Sequence, residues 1–287
     1  MISYGRQTIE ADDIEAVVKA LASGMLTQGP LVEEFERKFA AYTGARYALV
    51  CSNGTAALHL ACKAAGLGKG EKVLTTPLTF LATANAVLYV GASPEFADID
   101  TENFNIDFNE AEKKIKADAS IKAMIPVHFG GSPLAMEEAE RISRQNNLIL
   151  IEDACHALGA SWTDSRGITR KVGSSSHSDM TVFSFHPVKS ITTGEGGAIT
   201  TNSKRLYERL VSLRAHGVVK SPERFYNDEG LPWYYEMQDL GFNYRLTDMQ
   251  SALGVSQLNK LDRFIARRKE IACLYDRLLS KYPFIKT

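Results

Sequence analysis

The chain of 287 residues lacks any apolar run of membrane-spanning length, and its first residues, MISYGRQTIEADD, lack the apolar core of a secretory signal. Both absences point to the cytoplasm and away from a membrane. An excess charge of one sign is missing too. The 33 Lys and Arg face 34 Asp and Glu, so no basic surplus suggests nucleic acid. Cysteine is scarce: Cys51, Cys62, Cys155 and Cys273 show no short metal-type spacing, so no metal is expected and the four read as reduced core thiols. Cys155 stands where a nucleophile could, but packing is its simpler role. No GxGxxG follows the first strand, which argues against a nicotinamide dehydrogenase. What remains is an ordinary globular composition, 45% hydrophobic and 23% charged, long enough for a sizeable core.

The pattern is one of alternating strands and helices. Ile14, Val17, Val18 and Leu21 form one helical stripe over residues 9–22, and a second helix follows Pro30 with Val32, Phe35, Phe39 and Tyr42. Between them lies MLTQGP, an interhelical turn. The apolar strand 47–51 runs into Ser52-Asn53-Gly54-Thr55 and a helix over 56–65. Free amides and the dipole at such a helix start favour an anion. Strand 73–76, a helix after Pro77 with Phe80 near its start, strand 94–99, helix 109–116, strand 123–127 and helix 134–145 follow. This alternation predicts an α/β fold with a mainly parallel sheet between helices.

Residues 148–151 are four apolar residues in a row, as in a strand buried on both faces. They deliver Glu152-Asp153-Ala154-Cys155-His156 to the carboxyl end of the sheet, where open α/β sheets bind ligands. Asp153 reads either as a helix cap or as a ligand group, and His156 as a core histidine or a site residue. The strand entering at Thr181 leads to Lys189, set among small polar residues before Gly196-Gly197-Ala198-Ile199-Thr200, a turn and the start of a further strand. A lysine there is expected to be withdrawn from water and nucleophilic. After a helix over 204–213 and the segment Arg214–Gly217, residues 218–238 read as a long irregular loop. Thr247 and Gln250 fit a capping box opening a long helix through Leu261, and helical spacing continues to Leu279.

The segment SFHPVKSITTGEGGAITT resembles the cofactor-lysine segment of the DegT/DnrJ/EryC1/StrS sugar aminotransferases, pyridoxal phosphate (PLP) enzymes of the aspartate-aminotransferase fold, fold type I. The likeness runs from about Tyr4 to the last residues and is nearest to the branch that aminates a UDP-linked 4-keto sugar on the way to pseudaminic acid. It implies that Lys189 is the Schiff-base lysine and Asp153 the partner of the pyridinium. Gly54, Thr55 and Ala56 would form the phosphate cup, with the amides of Thr55 and Ala56 as donors. Phe80 would stack on the ring, His156 would touch it, Ser184 would join the cofactor site, and Glu152 would be a structural acid. Asn243 would cross to the other subunit's phosphate, making a homodimer with shared active sites. Thr27, Gln28, His186, Arg214, His216 and Arg245 would meet the UDP-sugar, with Lys220 as a further candidate, and L-glutamate would be the donor. The resemblance also implies an N-terminal helix and arm over 1–30, a large cofactor domain over 31–245, and a helix over 246–287 leading to a C-terminal domain beyond this chain. Other nucleotide-linked keto sugars, or a regulatory module on the same fold, are the alternative readings.

Overall fold

The computed structural model describes residues 5–227 and 230–285, so the ends of the expected 1–30 and 246–287 segments, and the start of the likeness at Tyr4, lie partly outside the described residues. Two helices open the chain, α1 (Ala11–Leu21) and α2 (Pro30–Thr43). The first half of the α/β body comprises β1 (Tyr47–Cys51), α3 (Gly54–Ala65), β2 (Lys72–Thr75), α4 (Ala82–Tyr89), β3 (Ser93–Phe96), α5 (Phe108–Ala117), β4 (Ile121–Met124) and α6 (Met136–Gln145). The second half runs through β5 (Ile149–Asp153), a ribbon of β6 (Ser161–Thr163) and β7 (Thr169–Lys171), then β8 (Met180–Ser184), β9 (Gly197–Thr201) and α7 (Lys204–Arg214). A small ribbon of β10 (Val218–Val219) and β11 (Glu236–Met237) precedes α8 (Asp248–Leu258) and α9 (Leu261–Leu279).

Seven strands form one sheet in the order β1-β9-β8-β5-β4-β2-β3. The β3, β2, β4, β5 and β8 pairings are parallel, while β9 runs antiparallel to both β8 and β1. Strands β1, β5, β8 and β9 are almost wholly buried, which explains their continuous apolar sequences. Helix α3 crosses one face over Leu58, Leu60 and Cys62, and Phe35, Phe39, Phe183 and Phe185 fill the other. Edge-to-face rings 5.2 Å apart join Phe39 of α2 to Phe183 of β8.

Several sequence expectations change here. The apolar stripe of α1 does not face the core: Ile14, Val18 and Leu21 are exposed, whereas Asp13 is fully buried. Asp13 accepts from Gln257 Nε2 at 2.9 Å and lies 2.7 Å from Lys260 Nζ, so polar bonding to the α8–α9 junction orients α1. The Thr247–Gln250 capping box is present, but the helix it opens breaks at Asn259-Lys260 before α9 begins. The segment 218–238 is not wholly irregular, since the β10–β11 ribbon closes it. Cys273 is exposed and is no core thiol; Cys51 and Cys62 are buried.

Candidate active site

The ends of β1, β5 and β8 converge at the start of α3. Asn53 caps that helix and Gly54 opens it. A Cβ on Gly54 would lie 2.8 Å from the Ser184 Cβ and 3.5 Å from Cys155 Sγ, so only glycine lets the three strand ends approach. Gly197 is equally constrained: its Cβ would sit 2.5 Å from the Asn53 carbonyl oxygen. The Asn53 side chain accepts the Ala56 amide at 2.8 Å. The structure thus takes up one of the two amides expected to meet a phosphate and leaves Gly54, Thr55 and the Thr55 hydroxyl at the helix start.

Asp153 is 5% exposed at the end of β5. Its Oδ1 accepts from the Cys155 amide at 3.1 Å, and its Oδ2 accepts from the Thr83 hydroxyl at 2.7 Å. Its main chain is tied to the neighbouring segment through Asp153 N–H to Pro126 O and His128 N–H to Asp153 O, each 3.0 Å. Its side chain caps no helix among the described residues and is held instead by the Cys155 amide and the Thr83 hydroxyl. Neither its partner Thr83 nor Thr79, bonded to Thr83 in turn, stood out in the sequence.

Lys189 lies half-buried in the loop from β8 to β9, and Arg268 Nη2 of α9 holds its carbonyl at 2.9 Å. Burial first, then the positive charge of Lys189, push the His156 pKa down, while Asp153 opposes them. Burial first, then Asp153, raise the Cys155 thiol well above its ordinary value, with Lys189 pulling the other way. Lys189, Asp153, His156 and Cys155 thus share one electrostatic environment, and Cys155 is a half-buried thiol whose raised pKa disfavours the thiolate. Glu152, on the opposite side of β5, accepts from His128 Nε2 at 2.8 Å and from Thr181 Oγ1 at 2.8 Å, with Ser178 as a third donor. Burial pushes its pKa up, but these donors outweigh it and hold the carboxyl low.

Phe80 is 66% exposed just before α4, beside Leu81 at 61%. A phenylalanine filling the core would be covered; this one presents its ring. The Asn243 side chain is exposed, while its backbone bridges to Ala215. The expected sugar contacts fall in a different place. Gln28, Arg214, His216, Lys220 and Arg245 line one groove of about 1400 Å³ beside α2, β1 and α7, and neither Lys189 nor Asp153 lines it. Arg214 is not free there: its Nη1 meets Glu36 and donates to Val50 O at 2.7 Å. Thr27 and His186 are exposed.

The donor set suits pyridoxal phosphate: helix-start amides for its phosphate, a buried carboxylate for the ring nitrogen, an uncovered aromatic ring and an amine. No group of metal-binding residues occurs among the described residues, and none of their helices is long and apolar enough to cross a membrane.

Comparison with known proteins agrees. The DegT/DnrJ/EryC1/StrS aminotransferase family profile matches residues 7–287. The UDP-4-amino-4,6-dideoxy-N-acetyl-beta-L-altrosamine transaminase of Campylobacter jejuni is 44% identical, over 100% of this chain and 72% of that protein. Helicobacter pylori PseC, an aminotransferase of pseudaminic acid biosynthesis, superposes with a TM-score of 0.87 at 34% identity, covering 98% of this chain and 71% of that one. A Streptococcus pneumoniae protein, Spr1654, solved in a PLP form, superposes with a TM-score of 0.86 at 28% identity, covering 97% and 71%. With the lysine loop, the buried aspartate and the helix-start cup in one place, this chain belongs to the DegT/DnrJ/EryC1/StrS aminotransferase family.

Proposed function

We propose that the chain transfers an amino group from L-glutamate to C4 of a UDP-linked 4-keto-6-deoxy-N-acetylhexosamine, with Lys189 and Asp153 as its catalytic residues. The observation that carries this reading is the shared environment of Lys189, Asp153 and His156 at the carboxyl end of the sheet. The similarity to an altrosamine transaminase and to PseC supports the choice of sugar.

Pyridoxal phosphate is the cofactor, and when bound it supplies an aldehyde and a conjugated ring that takes up carbanion electrons. Lys189 is the amine that would hold that aldehyde and give it up to the donor amine. The freed amine takes the proton from the donor's α-carbon and, in the second half-reaction, delivers one to C4 of the sugar. Asp153 would hold the proton of the pyridine nitrogen. Gly54 and Thr55 would hold the phosphate with Ser184 beside them, and Phe80 and His156 would meet the ring. Asn243, exposed on its own chain, reaches the phosphate of a second copy, and the exposed Phe80, Leu81, Leu88 and Tyr89 suit an interface there. Gln28, His216 and Arg245 serve the nucleotide diphosphate from their groove, whose charge calls for such donors, with Thr27 and His186 as sugar contacts.

The test is a spectrum of purified protein with pyridoxal phosphate before and after glutamate, then turnover with the 4-keto UDP-sugar. Lys189→Ala should lack the visible band and the glutamate response. A Lys189→Ala protein that still forms a borohydride-reducible link to the cofactor sinks the assignment. Preference for a GDP- or dTDP-linked sugar would move the substrate and leave the amino transfer intact.

A further inference from the structure

We propose that Thr83, backed by Thr79, is a positioning residue that fixes the Asp153 carboxylate in place for the pyridine nitrogen. The inference rests on the reading of Asp153 given above.

Thr83 is fully buried in the first turn of α4. Three oxygens surround its hydroxyl: Asp153 Oδ2 at 2.7 Å, Thr79 Oγ1 at 2.8 Å and the Phe80 carbonyl at 3.2 Å. One hydroxyl has one proton to give. The carboxylate is the nearest acceptor and the only charged one, so the proton points to Asp153. Thr79 then donates its own proton to the lone pair of Thr83. The result is a directed chain, Thr79 to Thr83 to Asp153 Oδ2, in which each bond polarises the next.

The remaining bonds of Asp153 decide what this chain controls. Its main chain is fixed by Pro126 and His128, and Oδ1 by the Cys155 amide. Rotation of the carboxyl about its own bond is checked by the backbone donor on one oxygen and by the Thr83 hydroxyl on the other, and the Cys155 thiol also bonds to the carboxyl. The same turn carries Phe80, three residues before Thr83 and so about one helical turn away. One short segment, residues 79–83, therefore sets both the aromatic face and the acid.

Valine has the shape of threonine without the hydroxyl, so Thr83→Val leaves Oδ2 unpartnered at nearly constant volume. A hydrogen bond to a charged group is worth enough that kcat of the glutamate half-reaction should fall about tenfold to a hundredfold, with KM for glutamate within about twofold. The visible band of the bound cofactor should titrate at a higher pH than in the parent, because a ring nitrogen carrying less positive charge leaves the conjugated lysine–cofactor nitrogen more basic. Thr83→Ser keeps the hydroxyl and should return both readouts close to the parent. The experiment is a pH titration of the band and single-turnover kinetics in the parent, Thr83→Val, Thr83→Ser, Asp153→Asn and the Thr83→Val/Asp153→Asn double variant. In the Asp153→Asn background the valine should add little, since the bond it removes acts through the charge. Thr83→Val matching the parent while Asp153→Asn is impaired overturns the proposal alone, as does an equal effect of the valine in both backgrounds. If Asp153→Asn itself matches the parent, the reading of Asp153 fails and the proposal falls with it.

Discussion

Replacing Arg214 with methionine separates a structural arginine from a substrate ligand. The side chain is 15% exposed and its partner Glu36 is 11% exposed. Glu36 also accepts the Val50 amide at 2.9 Å, so the pair closes the outer edge of β1. Burial outweighs Arg214 even in the intact pair and leaves the Glu36 pKa raised. Without Arg214 the carboxylate is left buried and unpaired, a change that costs about 3–5 kcal/mol. An entropy of unfolding near 2.1 cal/mol/K per residue converts this into a Tm about 5–8 °C lower for a chain of this length. The sign with pH follows from the raised pKa. A carboxyl that binds its proton more tightly when folded is fully compatible with the fold below its unfolded pKa and loses stability as pH rises. The Arg214→Met penalty should therefore be larger at about pH 8 than at about pH 5, where Glu36 takes a proton instead. Thermal and urea unfolding at the two pH values measure it, and Arg214→Met/Glu36→Gln should recover most of the loss. An unchanged Tm together with a KM for the UDP-sugar raised tenfold would refute the argument and restore Arg214 as a ligand; tenfold in KM is about 1.4 kcal/mol of binding.

Glu152 has the opposite sign. Its depressed pKa gives stability that is present above the unfolded value of 4.5 and lost as pH falls through the folded one, so Glu152→Gln should flatten the acid limb of the urea-unfolding profile. A variant with the parent's acid limb would show that the His128 and hydroxyl bonds do not hold the carboxylate charged. For the shared site, mixing Lys189→Ala with Asn243→Ala chains should restore one competent site per mixed dimer. Activity that stays at the level of the separate variants after subunit exchange, or a strictly monomeric protein that binds the cofactor, counts against Asn243 acting across an interface.

Much of this site could be read from local sequence because its parts are local. The run 148–151 is apolar throughout because β5 is buried on both faces, and strand and acid arrive together. The Thr247–Gln250 box depends on a three-residue spacing and was legible for that reason. What escaped depends on partners distant in sequence. Arg214 looks like a free cation until Glu36, 178 residues away, is placed beside it. The α1 stripe misleads because Asp13 finds Gln257 and Lys260, and polar bonding turns the apolar side outward. Thr83 is an unremarkable threonine in a helix until Asp153, 70 residues on, comes within 2.7 Å.

The antiparallel β9 has a consequence for the order in which the molecule is made. Strand β1, which leads into Gly54, has β9 as its one strand neighbour, pairing residues 47–51 with 201–197. While the chain emerges from the ribosome, β1 has nothing in the sheet to pair with until Thr201 is available, about 150 residues later. The strand that leads into Gly54 is therefore among the last parts of the sheet to pair, and the long wait between two partners is the kind of non-local pairing that slows folding. By then the Lys189 loop, which lies between β8 and β9, has already been synthesised. The strand pairing that completes β1 therefore also closes the Lys189 loop.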